Sequence, residues 1–224
     1  MELTGEIFVR WDPFSNLHIV ERLARKGFVV KIAPIAEWLF YTNFLIKKGY
    51  VESRFSLLGR IDFLVSNIAM RVIERRIKII LSASGMYESN RIDIEDLMRY
   101  KRHILPDRVD GEHNLVVAGT LRDGISTYCG VVSAGPFGCM QLRFSEALVA
   151  PQTSVRAKKT AMRAAGKAPL VPGFEDGDRI PFLSIESDGN PYPQLLDARM
   201  ESFCLQAARV AERQGKVTEH LDLS

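Results

Sequence analysis

The first thirty or so residues contain two short apolar runs, and between them lies a stretch in which apolar residues recur with the period of a helix. Residues 7–10, which are apolar except for Arg10, predict a β-strand, and residues 28–32 predict a second one. Between them, apolar side chains recur every three or four residues, with Ser15 placed to cap a helix and Gly27 to end it. The pattern therefore predicts a βαβ unit, whose two strands run parallel.

Residues 36–105 follow a different pattern, because apolar and aromatic residues recur at helical spacing with no strand signal between them. One helix is predicted over residues 36–48, a second begins near residue 57, and a third lies close to the end of the segment. We expect a helical insertion in an α/β domain, whose apolar stripes serve as core or as an interface.

The second half of the chain returns to an alternation of strands and helices. A basic helix and a mobile loop are expected within residues 151–178. The whole pattern predicts one α/β domain over residues 1–224, cut from a larger protein, with an open, Rossmann-like parallel sheet of about four strands flanked by helices. The remaining predicted elements are strands at 130–134 and 180–185, helices at 112–121 and 140–149, and a long amphipathic C-terminal helix.

Composition is that of an ordinary globular protein, with 46% hydrophobic and 25% charged residues among 224 and a net charge of +3. This charge gives no case for a nucleic-acid or membrane partner, and the basic runs at 71–78 and 156–167 are interpreted as solvated faces. No apolar stretch reaches about 18 residues, so no membrane span is predicted. Three cysteines without a C-x-x-C pair argue against a disulfide framework and predict a reducing, cytoplasmic setting.

One cysteine stands where chemistry is common in α/β proteins. Cys139 follows a buried strand and a Gly-Pro-Phe-Gly turn, at the point where a helix begins. Ligands bind at the carboxyl ends of strands in an open sheet, and the N-terminus of a helix favours a thiolate. Cys139 is therefore a candidate nucleophile or metal ligand, and the alternative is a small buried hydrophobic residue. Cys204, on the apolar side of the C-terminal helix, is expected to be structural.

A polar loop follows the last predicted strand and is expected to face the same crevice. It offers two carboxylates, a hydroxyl and an amide, which suit a polar substrate or hydrogen bonds to a cluster. The alternative is ordinary turn chemistry, since Asp-Gly and Asn-Pro are common loop formers. The candidate lining residues from the two loops are Gly138, Glu186, Ser187, Asp188 and Asn190.

Several common active-site motifs do not occur in the sequence. There is no G-x-x-x-x-G-K-[ST] or G-x-G-x-x-G loop for a nucleotide, and no G-x-S-x-G elbow for a hydrolase. A phosphatase-like loop needs an arginine six residues after Cys139, where this chain has Ser145. The four histidines are scattered, so no zinc site is predicted, and His113 is expected to have a polar role at the surface.

Four short strings of residues are spread across the chain, and the last two of them are uncommon. They are Gly-Glu-Ile-Phe-Val-Arg at 5–10, Asp-Pro-Phe-Ser-Asn at 12–16, Gly-Pro-Phe-Gly-Cys-Met at 135–140 and Asp-Gly-Asn-Pro-Tyr-Pro at 188–193. These strings resemble the C-terminal region of the family of 2-hydroxyacyl-CoA dehydratases and related CoA-substrate-specific enzyme activases. With smaller matches between them, the resemblance extends from residue 5 to about residue 210 and covers nearly the whole chain.

The resemblance implies anaerobic radical chemistry on acyl-CoA thioesters. In this family an ATP-hydrolysing activator passes a low-potential electron to a dehydratase component, which holds a cysteine-ligated 4Fe–4S cluster. Matched residue by residue, only Cys139 corresponds to a cluster ligand, and the family's other cluster cysteines and ATP-binding motifs have no counterpart here.

The match of a single ligand implies that the chain is inactive alone. It would contribute Cys139 and a wall of the acyl-CoA crevice to a larger assembly, and the cluster would need further cysteines from outside this chain. The implied partners are the remainder of the parent polypeptide or a second subunit, together with the acyl-CoA substrate. A homodimer is a further option.

Two other functions stay open at the level of sequence. The chain could be a non-catalytic scaffold or binding domain that keeps the fold, holds no metal and uses its helical insertion as an interface. It could instead be a thiol enzyme, with Cys139 as the nucleophile and Glu186 or His113 as the base.

Overall fold

A four-stranded parallel sheet organises the larger part of this protein. The computed structural model describes residues 1–51, 57–85, 91–187 and 194–222. Every strand pair in the sheet is parallel, and helices join successive strands, so the predicted open, Rossmann-like α/β fold class is confirmed. The strands are β1 (Glu2–Gly5), β2 (Lys31–Ile32), β3 (Val131–Pro136) and β4 (Phe182–Ser187), in the order β2-β1-β3-β4.

Helices make up most of the rest of the described chain. None of them, within the described ranges, is both long and apolar enough to cross a membrane. A short 3-10 turn at Ala150–Gln152 follows the seventh helix. The helices are α1 (Ile7–Trp11), α2 (Ile19–Arg25), α3 (Ile35–Lys48), α4 (Leu57–Ser82), α5 (Ile94–Arg99), α6 (His113–Asp123), α7 (Met140–Val149), α8 (Val155–Ala164) and α9 (Gln194–Asp222).

The first strand lies earlier than the sequence pattern predicted. Residues 7–10 were expected to form a strand, but they belong to α1, and β1 comes before them. Gly5 turns the chain with φ +110°, a conformation that side chains disfavour. The Glu6 carboxylate then accepts hydrogen bonds from the first amides of α1, and the buried Arg10 guanidinium donates to the Gly5 carbonyl at 2.7 Å. These polar contacts outweigh the strand preference of a short apolar run.

The second strand and the start of α2 also differ from the prediction. Only two residues of the predicted strand at 28–32 pair with β1, at the edge of the sheet. Ser15 does not cap α2; its own amide donates to the Asp12 carboxylate at 2.8 Å, which closes a turn. The side-chain oxygen of Asn16 instead accepts from the Ile19 amide at 3.3 Å, and the helix begins there.

The chain divides into two compact units. One contains Met1–Ile35 and Asp96–Ser224, and therefore the sheet; the other is Ala36–Glu95, with α3 and α4. The sequence pattern placed the end of the helical insertion at residue 105, whereas the second unit ends ten residues earlier, at Glu95. Tyr100 and Leu105 are buried in the unit that contains the sheet.

The main core of the sheet unit lies between the strands and the helices that pack against them. Leu3, Val132 and Leu183 from three adjacent strands pack in one cluster with side chains of α2 and α9. Within residues 151–178, the basic helix is α8, and the loop after it contributes Val171 and Phe174 to this core. The mobility of that loop stays a prediction.

Candidate functional site

The direction of strand order reverses between β1 and β3. From β1 the chain continues to β2 on one side, and from β3 it continues to β4 on the other. In an open parallel sheet, ligands bind in the crevice at such a switch point, at the carboxyl ends of the strands. Glu6 follows β1 and Cys139 follows β3, and both line a narrow cleft there. This cleft is the candidate functional site.

The turn after β3 places Cys139 at the cleft. The Phe137 amide donates to the Ser187 carbonyl at 2.9 Å, and the Cys139 amide donates to the Pro136 carbonyl at 3.1 Å. Between them Gly138 has φ +70°, a left-handed conformation that favours glycine. Cys139 is the N-cap of α7, but its side chain makes no capping hydrogen bond. The half-buried thiol is therefore left at the mouth of the cleft.

Two carboxylates line the cleft beside this thiol. Glu6 accepts from the Phe8 and Val9 amides at 3.1 and 2.8 Å, which commits it to α1. Glu112 precedes α6, and its pKa is raised by burial and by the nearby Glu6 carboxylate, against the opposing charge of Arg10. Protonated Glu112 is thus stabilised relative to an exposed glutamate.

The prediction that His113 has a polar surface role is wrong, because this residue is only 2% exposed. Its Nδ1 atom hydrogen-bonds Gln141 Oε1, and its ring meets the Phe144 ring edge to face, with centroids 4.8 Å apart. Burial lowers the pKa of His113 and favours the neutral imidazole. The other nitrogen, Nε2, lies 3.3 Å from Asn114 Nδ2, so both nitrogens face polar groups other than Cys139. The geometry disfavours His113 as a base for the thiol.

Glu186 and Ser187 are the last two residues of β4, not part of the following loop. Glu186 Oε2 accepts from Arg143 Nη2 at 2.5 Å, so its carboxylate is held in an ion pair rather than presented as a base. The Ser187 backbone helps to fix the turn before Cys139, as described above. Asp188 and Asn190, the other two predicted lining residues of this loop, lie outside the described residues.

The three cysteines are far from equivalent. Cys129 and Cys204 are buried in the main core, and burial raises the pKa of Cys204, which confirms the structural role expected for it. Cys139 is the cysteine at the cleft. Across the described parts of the chain, no three His, Cys, Asp or Glu side chains come close enough to hold a metal ion.

Sequence reasoning missed three polar residues of this cleft. Glu6 was hidden because residues 5–10 were interpreted as a strand; placing that strand at 2–5 would have put Glu6 at its carboxyl end. Glu112 and Gln141 come together only because α6 packs against α7, and no local pattern signals that contact.

Comparisons with known proteins do not assign this chain to a family. No family model, no curated protein and no solved structure matches it.

Proposed function

We propose that this chain is a domain of a 2-hydroxyacyl-CoA dehydratase-type protein, in which Cys139 supplies one thiolate ligand to a 4Fe–4S cluster. The observation that carries this proposal is the position of the thiol, half-buried at the switch point of a parallel sheet. The Gly-Pro-Phe-Gly-Cys-Met string at 135–140, which spans the end of β3 and the start of α7, supports the choice of family.

This chain offers one thiolate ligand, Cys139, which is enough for one iron of a cluster but not for a whole cluster site. Such a cluster is normally held by at least about three thiolates. Cys129 and Cys204 are only 8% and 7% exposed, and both are packed in the core. The remaining ligands therefore belong to another segment of the parent polypeptide or to a partner subunit. When bound, the cluster would supply single low-potential electrons for the reduction of an acyl-CoA thioester.

The surface around Cys139 suits a site shared with another polypeptide. Phe137 and Met140 flank the thiol on either side and are 71% and 74% exposed. Exposed apolar side chains grouped around a polar centre are typical of a surface that a partner covers. Covering this surface would also exclude water from a cluster bound to Cys139 and so tune its potential.

Residues beside the cleft would hold the turn in place and line the substrate crevice. The ion pair between Arg143 and Glu186 ties the first part of α7, which begins directly after Cys139, to the end of β4. Gly138, Glu186 and Ser187 form the wall that we assign to the acyl-CoA. Chemistry of this kind requires reduced thiols, so we place the protein in the cytoplasm.

A non-catalytic scaffold or binding domain is the second candidate. It is favoured by α4, which exposes many apolar side chains. In that case the chain would act through its surfaces, and Cys139 would be an ordinary thiol.

Iron content measured under strictly anaerobic conditions tests the first proposal. The tagged chain is purified from its source cells together with whatever it binds, and separately as the isolated chain reconstituted with iron and sulfide. Iron, acid-labile sulfide and the electron paramagnetic resonance signal of the reduced cluster are measured for the unchanged chain, Cys139→Ala and Cys204→Ala. Cys204→Ala is the matched control, because that thiol is buried in the core.

We expect a cluster in the complex and none in the isolated chain. The cluster should be lost or altered in Cys139→Ala and retained in Cys204→Ala. An assembly without iron, or a cluster that is indifferent to Cys139→Ala, would refute the ligand role and favour the scaffold.

A further inference from the structure

The helix α4 has one face packed within its own unit and one that is open. On the packed side, the Asn43 side-chain amide donates to Met70 Sδ at 3.7 Å, and the Arg71 guanidinium lies 3.7 Å from the centroid of the Phe40 ring. The opposite side is apolar, with exposures between 47% and 79%. It carries Leu58, Ile61, Val65, Ile68, Val72 and Ile79.

These six side chains follow the spacing of a coiled-coil seam. Steps of three and four residues alternate from Leu58 to Val72, Arg75 takes the next position, and Ile79 follows it. The helix has 26 residues and is therefore about 39 Å long, so a strip about 10 Å wide along it covers roughly 400 Å². A patch of this size is comparable to the largest apolar patch of a typical monomeric protein, which is often functional.

We propose that this face binds the same face of a second copy of the chain, with the two α4 helices antiparallel about a twofold axis at the level of Ala69 and Met70. Asp62 and Arg76 flank the seam seven residues before and after Ala69, on equivalent positions of the heptad. An antiparallel arrangement therefore brings Asp62 of each copy opposite Arg76 of the other, and the symmetry makes this ion pair twice.

The charges also select the direction of the helices. In a parallel pair, Arg71 of one copy would lie beside Arg76 of the other, which is repulsive. In the antiparallel pair, the two Arg71 side chains approach each other across the axis. Their repulsion is reduced, because each guanidinium is bound to acceptors of its own chain. Arg71 Nη1 donates to Glu74 Oε2 at 3.2 Å and to the Ile92 carbonyl at 2.6 Å.

The seam closes well in this register. Ile68 meets Val72 of the second copy, and Ile61 meets Ile79 of the second copy, with Ala69 between the central layers, where a small residue lets the helices approach. Val65 meets Arg75 of the second copy, whose aliphatic stem can cover it while the guanidinium stays in water.

Sedimentation velocity of the full chain at about 50 µM tests this proposal. We expect a dimer that becomes a monomer in Ile68→Glu, with an unchanged far-ultraviolet circular dichroism spectrum because Ile68 is 57% exposed. Arg60→Glu is the matched control, since it changes charge on an exposed position of α4 away from the seam, and it should leave the dimer intact.

A charge swap tests the antiparallel register itself. Asp62→Arg and Arg76→Asp should each weaken self-association about tenfold or more, because each turns two attractive contacts into two repulsive ones. A mixture of the two variants should dimerise again, since both contacts between unlike copies are then attractive.

The proposal would be overturned if the unchanged chain were a monomer, or if Ile68→Glu remained a dimer. It would also be overturned if the two charge variants did not rescue each other. A monomer that binds lipid vesicles or another protein through this face would do the same. All the substituted residues lie in the unit Ala36–Glu95 and Cys139 lies in the other unit, so the outcome is separate from that of the cluster proposal.

Discussion

Because of one buried lysine, we expect the free energy of unfolding of this protein to change with pH in the alkaline range. Lys158 on α8 is fully buried, and its ammonium donates to the carbonyls of Leu121 and Arg122 at 3.2 and 2.8 Å and to Ser126 Oγ at 2.9 Å. These acceptors lie at and just beyond the last turn of α6, where helix carbonyls lack partners within the helix. Burial lowers the pKa of Lys158 to about 8, although the charge of Asp123 opposes this effect.

The size and sign of the effect follow from the two protonation states. The pKa of lysine is 10.5 when exposed in the unfolded chain and about 8 in the folded chain, which corresponds to about 3 kcal/mol. Below about pH 8 both states bind the proton, and this cost of burying the charge is present in full. As pH rises from about 8 to 10.5, the folded state releases its proton first, so the free energy of unfolding increases.

The substitution Lys158→Met isolates this effect, because methionine keeps much of the side-chain volume and does not titrate. Denaturant unfolding at pH 7 and pH 10 gives the stability of both proteins. The stability of the unchanged chain relative to Lys158→Met should rise by about 2 to 3 kcal/mol between these two values. Lys47→Met, at an exposed position on α3, should show no such rise.

A relative stability that stays constant between pH 7 and pH 10 would refute the reasoning. It would mean that Lys158 keeps its charge at little cost, because the three acceptors replace its hydration fully. A fall with pH would mean that the hydrogen bonds of the ammonium outweigh its burial, and the folded pKa would then lie above 10.5.

Three further substitutions test parts of the sheet unit by the loss of unfolding free energy. Gly5→Ala should cost more than about 3 kcal/mol, because φ is +110° and an added Cβ would lie 2.1 Å from the Ala134 carbonyl oxygen; a loss under 1 kcal/mol would contradict this. Ser154→Ala should cost about 1 kcal/mol by removing the cap of α8, and an unchanged midpoint would show that the cap is dispensable. Asp107→Asn should cost about 3 kcal/mol, since it leaves the buried Lys101 ammonium without the carboxylate that lies 2.9 Å away. Arg102→Gln is the control, because Arg102 pairs with the same carboxylate from the exposed side, and it should cost much less.

The sequence pattern predicts helices of this protein better than its strands. The predicted bounds of 140–149 agree with those of α7, because its apolar residues recur at helical spacing directly after a glycine-rich turn. The prediction is wrong at 7–10, where a run of four residues is too short to distinguish a strand from one turn of helix. There the outcome depends on local polar contacts, from the Val9 amide to the Glu6 carboxylate and from the Arg10 guanidinium to the Gly5 carbonyl, which a hydrophobic pattern does not show.

From the sequence, only the part of the candidate site that directly follows a strand could be predicted. Cys139 follows β3 directly, so the general behaviour of parallel sheets places it at the cleft. Glu112 and His113 reach the same cleft from the start of α6, and that requires knowledge of how α6 packs on α7. His113 is buried because this helix is enclosed on most of its surface, which a hydrophobic pattern alone does not show.

The narrowness of the cleft argues that any ligand of Cys139 lies partly outside this chain. Between β1 and β3, a Cβ added at Gly135 would lie 3.3 Å from Leu142 Cδ2 and 3.6 Å from Glu6 Cβ, so this chain's own side chains already fill the space. A thiol enzyme would need room here for a substrate beside the thiol, and the described residues that line the cleft leave very little. A ligand that approaches from outside the turn at Phe137 needs no such room, but it requires a second surface to enclose it. The geometry therefore favours a shared site over a complete one, whether the shared group is a cluster or a protein partner.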